Sequence, residues 1–213
     1  MEEGQQRKGT TTVGVVCKDA IIMAADKRGT MGYLIASKDV EKIFKITDRI
    51  ALTMAGMASD GQMLAKFLKA EMELYKLNTG TEPSLTVASN LMANIIFEKA
   101  KSFIPYIVQL TIGGLDEGNE PALYSLDMGG SIIKEKQYYS TGSGSPMAFG
   151  VLEDNYKDNM STDQAIELTI RAISAAMKRD CATGEGIDVI VIDRKGGFKR
   201  VDKDRIMSIA KSK

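Results

Sequence analysis

The order of strand-like and helix-like segments is the feature that most restricts how this 213-residue chain can fold. Segments rich in β-branched and apolar residues come first, then two helical patterns, more strands, two more helical patterns and a last pair of strands. Strands grouped in this way, without βαβ alternation, predict an α+β fold in which antiparallel sheets stack between helical layers. Because no linker, repeat or low-complexity tract interrupts the order, we expect one domain.

Two β-hairpins are predicted near the start of the chain, around short turns at Lys18-Asp19 and Thr47-Asp48-Arg49. Their strands cover residues 10–17, 20–25, 42–46 and 50–56. The later strands are predicted at residues 107–114, 122–127, 131–138, 187–193 and 197–202. The runs are apolar on successive residues, which is typical of strands covered on both faces.

Capping signals and 3.6-residue periodicity predict the first pair of helices. The first begins at a capping box of Ser59 and Gln62 and ends at Asn78-Thr79-Gly80, and the second covers about residues 83–103. Their apolar stripes are Met63, Phe67, Ala70, Leu74 and Leu77 in the first helix and Ala88, Leu91, Met92, Ile95 and Ile96 in the second. The methionines on such stripes are expected in the core or at subunit contacts.

Similar signals predict the second pair of helices. One begins with Ser145 as N-cap and Pro146 at its first position, and the other begins at a capping box of Ser161 and Gln164. The apolar stripe of the latter is formed by Ile166, Ile170, Ile173 and Met177. A short helix is predicted at the C-terminus.

Composition excludes several classes of function. The chain has no histidine, which removes Ser-His-Asp and Cys-His catalysis and zinc sites that need a histidine ligand. Its 28 basic and 28 acidic residues balance, which favours neither nucleic acid nor an anionic membrane as partner. The two cysteines, Cys17 and Cys181, are too few for a disulfide framework and suit a reducing compartment. The polar N-terminus lacks the apolar region of a secretory signal, and no apolar run approaches the ~18 residues of a membrane span.

The hairpins bring a small set of polar residues toward one another. A two-residue turn in the first hairpin puts Thr11 opposite Asp26, and a three-residue turn puts Thr10 there. In the second hairpin, Lys42 falls two or three positions from Gly56 along the partner strand. If the two hairpins share a sheet, Thr10, Asp26, Lys42 and Gly56 converge.

This set allows catalysis without an imidazole. A threonine hydroxyl needs a base to become a useful nucleophile, and an N-terminal amine with a pKa of about 7.7 to 8.0 supplies one near neutral pH. Thr10 gains such an amine only if the chain is cut after Gly9. Glycine there leaves room for the adjacent side chain to attack the backbone.

Six motifs in order resemble one known family, the β subunits of the archaeal proteasome core particle, which are N-terminal nucleophile hydrolases. They are GTTTVGVV at 9–16, MAADKRGT at 23–30, EKIFKI at 41–46, TMAGMASDGQ at 53–62, STGSGSP at 140–146 and RAISAAMKRD at 171–180. The resemblance covers essentially the whole chain. It implies a four-layer αββα sandwich of two antiparallel sheets between helix pairs.

The resemblance also implies a threonine endopeptidase that is made as a precursor. Residues 1–9 form a propeptide that is removed autocatalytically at Gly9-Thr10, and residues 10–213 form the catalytic domain. Thr10 is then the nucleophile and its amine the base, while Lys42 lies beside it and Asp26 holds Lys42. The Gly56 N–H matches the oxyanion donor.

The same resemblance assigns the remaining site residues. Ser143, Asp180 and Thr183 match the polar group around the Thr10 amine, and position 183 is usually serine in the family. Substrate is expected as an extended strand along Thr30, Gly56 and Ala58. Met54 matches the floor of the specificity pocket and implies a chymotrypsin-like preference for large apolar residues. No metal or cofactor is implied.

The implied partners are other β subunits in a heptameric ring, proteasome α subunits, an ATPase unfoldase that acts through the α ring, and unfolded polypeptide substrates. Neither nucleic acid nor membrane is expected, and the implied location is the cytoplasm. The alternative within the family is a non-catalytic, structural β subunit. A bacterial two-ring threonine protease of the same superfamily fits less well, because its mature chain usually starts at the second residue and is shorter.

Overall fold

The computed structural model describes residues 9–211, so the predicted propeptide lies outside the described residues except for Gly9. The strands are β1 (Thr12–Val16), β2 (Ala20–Asp26), β3 (Gly29–Met31), β4 (Leu34–Ser37), β5 (Ile43–Lys45), β6 (Ile50–Gly56), β7 (Val108–Leu115), β8 (Pro121–Leu126), β9 (Ile132–Glu135), β10 (Tyr138–Thr141), β11 (Ile187–Asp193) and β12 (Gly197–Arg200). The helices are α1 (Ala58–Thr79), α2 (Leu85–Ala100), α3 (Ser145–Asn155), α4 (Thr162–Met177) and α5 (Lys203–Lys211). None of these described helices combines the length and apolar composition that a membrane crossing requires.

Two five-stranded antiparallel sheets form the centre of the fold. Sheet I has the strand order β10-β1-β2-β11-β12, and sheet II has the order β5-β6-β7-β8-β9. One apolar core joins α1 and α2 to sheet II, a second joins α3, α4 and α5 to sheet I, and a third lies between the sheets. These layers confirm the predicted α+β, αββα sandwich.

Each of the two early hairpins adopts one of the two registers that the sequence left open. In β1 and β2, Thr12 pairs with Ala25 and Val16 with Ile21, which is the register of the two-residue turn. That register continues beyond β1, because the Asp26 N–H donates to the Thr11 carbonyl at 3.2 Å. The turn length therefore places a carboxylate beside the start of the chain's first strand.

The predicted convergence through one shared sheet is wrong. β1 and β2 belong to sheet I, whereas β5 and β6 belong to sheet II. The two hairpins meet face to face through the core between the sheets, where Ile21 and Met23 of β2 pack with Ile43 and Ala51. Both faces of each hairpin are buried, so the apolar pattern alone did not distinguish a shared sheet from two stacked sheets.

The apolar stripe predicted for α1 faces away from the core. Met63, Phe67, Leu74 and Leu77 are 43% to 82% exposed, and Ala70 is exposed as well. The buried face is formed instead by Gly61, Leu64, Ala65, Leu68 and Met72. Both stripes have helical spacing, so spacing alone does not decide which of them faces the core. Close packing decides it, because a Cβ on Gly61 would lie 2.0 Å from Met54 Sδ, and only glycine allows this face to approach β6. We call the exposed set of Met63, Phe67, Ala70, Leu74 and Leu77 the α1 ridge.

Two helix starts differ from the predicted ones. α1 begins at Ala58 after Met57, without a side-chain cap, so Ser59 and Gln62 form no capping box. The first-turn carboxylate of Asp60 accepts a hydrogen bond from the Ile107 N–H at 3.0 Å and ties this end to the chain before β7. For α3, Gly144 is the N-cap and the predicted cap Ser145 is already helical.

The other helix predictions are largely confirmed. The capping box of Ser161 and Gln164 is present at α4, with hydrogen bonds of 3.3 and 2.9 Å between each side chain and the partner's N–H. α1 ends at Gly80 with a φ of 69°, a left-handed conformation that favours glycine. α2 is shorter than predicted, because Ser84 caps it and it ends at Ala100.

Two strand predictions need correction. The segment predicted as one strand at 131–138 is split into β9 and β10, which belong to different sheets. The turn between them, Lys136-Gln137, contains neither glycine nor proline, so the sequence did not mark the change of sheet. The small hairpin of β3 and β4 was not predicted; its residues from Leu34 to Ser37 are exposed and lack the burial pattern of a core strand.

Candidate active site

Thr10 is buried two residues before β1, and its hydroxyl and its N–H each donate one hydrogen bond. Its Oγ1 donates a hydrogen bond to the Gly9 carbonyl oxygen at 2.7 Å. Its N–H donates to Ser143 Oγ at 3.3 Å. The hydroxyl is therefore held at hydrogen-bond distance from the carbonyl group of the preceding residue.

Asp26, at the end of β2, is a buried carboxylate with four hydrogen-bond donors. Its Oδ1 accepts from the Thr11 N–H at 2.9 Å and from Lys42 Nζ at 2.7 Å. Its Oδ2 accepts from the N–H groups of Arg28 at 3.1 Å and Gly184 at 2.9 Å. These donors link the start of β1, the end of β2 and the loop before β11 to one side chain.

Lys42 reaches Asp26 from the side of sheet II, just before β5. The two charged side chains are only 3% and 0% exposed. Burial lowers the pKa of the Lys42 ammonium from its ordinary value of 10.5, although the Asp26 carboxylate favours the charged form. The Lys42 carbonyl also accepts from the Met54 N–H at 3.1 Å, so Lys42 is held in register with β6.

A second carboxylate, Asp180, organises the other side of Thr10. Asp180 Oδ2 accepts hydrogen bonds from Ser143 Oγ and Thr183 Oγ1, both at 2.5 Å, and Oδ1 accepts from the Ala182 N–H at 3.2 Å. Ser143 therefore donates a hydrogen bond to Asp180 and accepts one from the Thr10 N–H. The structure brings this predicted polar group together, with threonine at position 183.

Thr11 extends this group and was missed from the sequence. Its Oγ1 lies 2.7 Å from Thr183 Oγ1, and both side chains are fully buried. Because the single hydroxyl proton of Thr183 is donated to Asp180, Thr11 must be the donor in this pair. Thr11 precedes a strand like any β-forming threonine, and no local signal separates it from its neighbours.

Arg28 is a second residue that sequence reasoning did not single out. Its Nη1 donates to the Cys181 carbonyl at 2.6 Å, and its Nη2 pairs with Glu185 at 3.2 Å. The guanidinium also packs against Gly184, where a Cβ would lie 2.5 Å from Nη2. Arg28 therefore holds the loop that carries Asp180 and Thr183. Its position in the MAADKRGT motif gave no indication of a contact more than 150 residues away.

A cavity of about 320 Å³ opens beside Thr10. Its lining includes every predicted substrate residue: Thr30, Met54, Gly56 and Ala58. Lys42 and Arg28 also line it, together with the apolar side chains of Val40 and Met57. A larger cavity of about 480 Å³ lies between α3, α4 and α5, but its charged residues, Arg171, Lys178 and Arg179, are all exposed.

Gly56, the predicted oxyanion donor, has a backbone conformation that requires glycine. Its φ of 118° is rarely adopted by other residues, and a Cβ there would lie 2.3 Å from the Ile107 carbonyl oxygen. The residue ends β6 at the wall of the cavity, beside Thr10. Substitution of Gly56 would disturb the backbone at this position.

The chain is similar to proteins of one known family. Residues 6–192 match the family model described as proteasome subunit. A protein from Ferroglobus placidus named proteasome subunit beta is 50% identical over 188 residues, which cover 88% of each chain. Proteins of the same name from Archaeoglobus profundus and Methanothermobacter thermautotrophicus are 44% and 46% identical, covering 94% and 97% of this chain and 93% and 96% of theirs.

The ion pair between Lys42 and Asp26 is expected to be important for stability. Lys42→Met leaves a buried carboxylate without its opposite charge, and we expect the free energy of unfolding to fall by about 3–5 kcal/mol. Denaturant unfolding of the unassembled chain measures this loss. The matched control is Lys76→Met, which removes an exposed ion pair with Glu82 and is expected to change stability by less than about 1 kcal/mol. Equal effects of the two substitutions would contradict the prediction.

Proposed function

The chain belongs to the proteasome subunit family, and we propose that it is a threonine endopeptidase subunit of the core particle that degrades unfolded proteins to short peptides. The observation that carries the proposal is the contact of 2.7 Å between Thr10 Oγ1 and the Gly9 carbonyl oxygen. Around it lie the buried carboxylate of Asp26, which is paired with Lys42, and the partly exposed carboxylate of Asp180, which is bound to Ser143. Presence of this complete set favours a catalytic subunit over a structural one.

Removal of residues 1–9 is the first proposed reaction. The Thr10 hydroxyl attacks the Gly9 carbonyl carbon and the peptide C–N bond breaks. The nitrogen keeps its own proton, takes up the proton that the hydroxyl loses, and becomes the free amine of Thr10. Water then hydrolyses the resulting ester, which releases Gly9 as a carboxylate and restores the hydroxyl. The products are a propeptide of residues 1–9 and a mature domain of residues 10–213.

The mature site then acts on substrate with its own amine as the base. The Thr10 amine, with an ordinary pKa of about 7.7 to 8.0, accepts the hydroxyl proton through water and later returns it to the leaving amine. Ser143 accepts a hydrogen bond from the nitrogen, which helps to direct the nitrogen's lone pair toward the hydroxyl. The positive charge of Lys42 favours the unprotonated amine and the developing alkoxide, and Asp26 holds Lys42 in place.

The cavity beside Thr10 supports the proposed mode of substrate binding. An extended substrate strand would pair with backbone groups at Thr30, Gly56 and Ala58, and the Gly56 N–H would bind the developing oxyanion. The side chain before the cut would enter the cavity lined by Met54, where adaptable apolar surface favours large hydrophobic residues. This mechanism uses protein groups and water, and it requires no metal or cofactor.

The α1 ridge supports the proposed assembly. Its members form an exposed apolar stripe along a helix of 22 residues, and contiguous apolar surface of this kind marks contact sites between proteins. We propose that such faces contact the other β subunits of a heptameric ring and the α subunits, through which an ATPase unfoldase supplies substrate. The proposed location is the cytoplasm.

Substitution of the nucleophile tests the proposed function. Thr10→Ala is expected to fold and assemble but to retain residues 1–9 and to lose hydrolysis of a hydrophobic fluorogenic peptide, because no hydroxyl remains to attack either bond. Thr10→Ser, which keeps a hydroxyl, is expected to retain measurable hydrolysis. Hydrolysis by Thr10→Ala at the wild-type rate would show that another group is the nucleophile.

Thr11 provides a finer test of the polar group. Thr11→Val removes the donor to Thr183 while keeping the side-chain shape, so we expect kcat to fall roughly 2- to 10-fold with little change in KM, as for the loss of one neutral hydrogen bond. Thr11→Ser is expected to restore kcat. Both are measured by steady-state peptide hydrolysis.

The control is Thr12→Val at the next position of the chain. It removes an equivalent buried pair, since Thr12 Oγ1 lies 2.6 Å from Thr141 Oγ1, but one with no link to Asp180. We expect it to leave kcat within about 2-fold of wild type, since the loss is structural. Equal losses of kcat in Thr11→Val and Thr12→Val would refute a positioning role for Thr11.

A further inference from the structure

Gly9 is packed against Ala182 so closely that no side chain fits at position 9. A Cβ on Gly9 would lie 1.7 Å from Ala182 Cβ and 2.9 Å from Ala182 Cα. Carbon atoms in favourable contact are about 3.5–4.0 Å apart. Both residues are buried, and Ala182 is only 7% exposed. The space that a methyl group would need is therefore already occupied by another methyl group.

The space available at position 9 therefore requires glycine. Ala182 is the neighbour that limits this space, because the two shortest distances from a Cβ at position 9 are both to Ala182 atoms.

Ala182 cannot easily move aside. Its N–H is bound to Asp180 Oδ1 at 3.2 Å, and the preceding carbonyl, that of Cys181, is held by Arg28 at 2.6 Å. The next residue, Thr183, is tied to Asp180 and to Thr11. Displacement of Ala182 would therefore disturb the polar group that orients Thr10.

A side chain at position 9 would also approach the site from a second direction. Its Cβ would lie 3.0 Å from Ser143 Oγ, the atom that accepts the hydrogen bond from the Thr10 N–H. A larger residue must then shift either Ser143 or the Gly9 carbonyl away from Thr10 Oγ1. In both cases the geometry for attack on the Gly9 carbonyl is lost.

We propose that Ala182 is a specificity-determining residue for propeptide removal: it restricts position 9 to glycine and thereby holds the Gly9 carbonyl against the Thr10 hydroxyl. The inference rests on the proposed function, because it concerns the first of the two proposed reactions. According to this inference, the two proposed reactions accept different side chains on the residue before the bond that is cut. The residue before the self-cleaved bond contacts Ala182, whereas the residue before the cut in a substrate enters the cavity that Met54 lines.

The test is a pair of complementary substitutions in the full-length, assembling chain, followed by intact mass over time. Gly9→Ala is expected to slow removal of residues 1–9 by roughly 10- to 100-fold, as expected for an overpacked methyl group. Ala182→Gly is expected to remain processed. Gly9→Ala combined with Ala182→Gly is expected to be processed within about 3-fold of Ala182→Gly alone, because the second substitution removes the obstructing methyl group.

Two further variants sharpen the result. Gly9→Val combined with Ala182→Gly is expected to stay slow, because the added isopropyl group exceeds the one carbon that was removed. Gly150→Ala in α3 is the matched control for a glycine-to-alanine change, since its Cβ would meet no atom within 4 Å, and it is expected to be processed like the wild type.

The outcomes separate this inference from the proposed function. Processing of Gly9→Ala at the wild-type rate would overturn the inference, and so would a double variant that stays slow while Ala182→Gly is processed; the proposed function stands in both cases. If the assembled wild type itself retains residues 1–9, the proposed function is overturned and the inference with it.

Discussion

The buried ion pair between Asp26 and Lys42 is the interaction on which the rest of the site depends. Asp26 ends a strand of sheet I, Lys42 precedes a strand of sheet II, and their charged atoms meet at 2.7 Å with almost no exposure to solvent. A charge in such a place is tolerated only when it is paired and hydrogen-bonded, and Asp26 satisfies this condition with three backbone N–H groups besides Lys42. The same bonds fix the start of β1, and with it Thr10, against both sheets.

A second carboxylate, Asp180, complements Asp26. The hydrogen-bond donors of the two carboxylates are different groups. Asp26 holds the Lys42 ammonium at the cavity that Thr10 also lines, and Asp180 holds Ser143, which accepts a hydrogen bond from the Thr10 N–H. In the proposed mechanism, the two centres and the Thr10 amine together take the place of the histidine that other hydrolases use, in a chain whose full sequence contains none. The replacement requires that the nitrogen of Thr10 be an amine, so the proposed chemistry of the site depends on a cut after Gly9.

Local features of this structure were predictable from the sequence, and features set by distant packing were not. The register that places Asp26 beside Thr11 follows from a two-residue turn and strict strand alternation. The stacking of the hairpins in two sheets depends on which buried faces meet, and both faces of each hairpin are apolar. The rotation of α1 likewise depends on the close approach of Gly61 to Met54, since two helical stripes of the helix were apolar. Thr11, Arg28 and Ala182 act through contacts with residues far along the chain, and only the folded structure reveals such contacts.

The central claim is that Thr10 becomes the first residue of the working protein. Intact mass of the wild-type chain, purified from its assembled form, tests this claim most directly. Removal of nine residues from 213 predicts a chain of 204 residues that begins at Thr10. An assembled chain of full mass that still begins at Met1 would contradict the account, because its Thr10 nitrogen would remain an amide and could not act as the base.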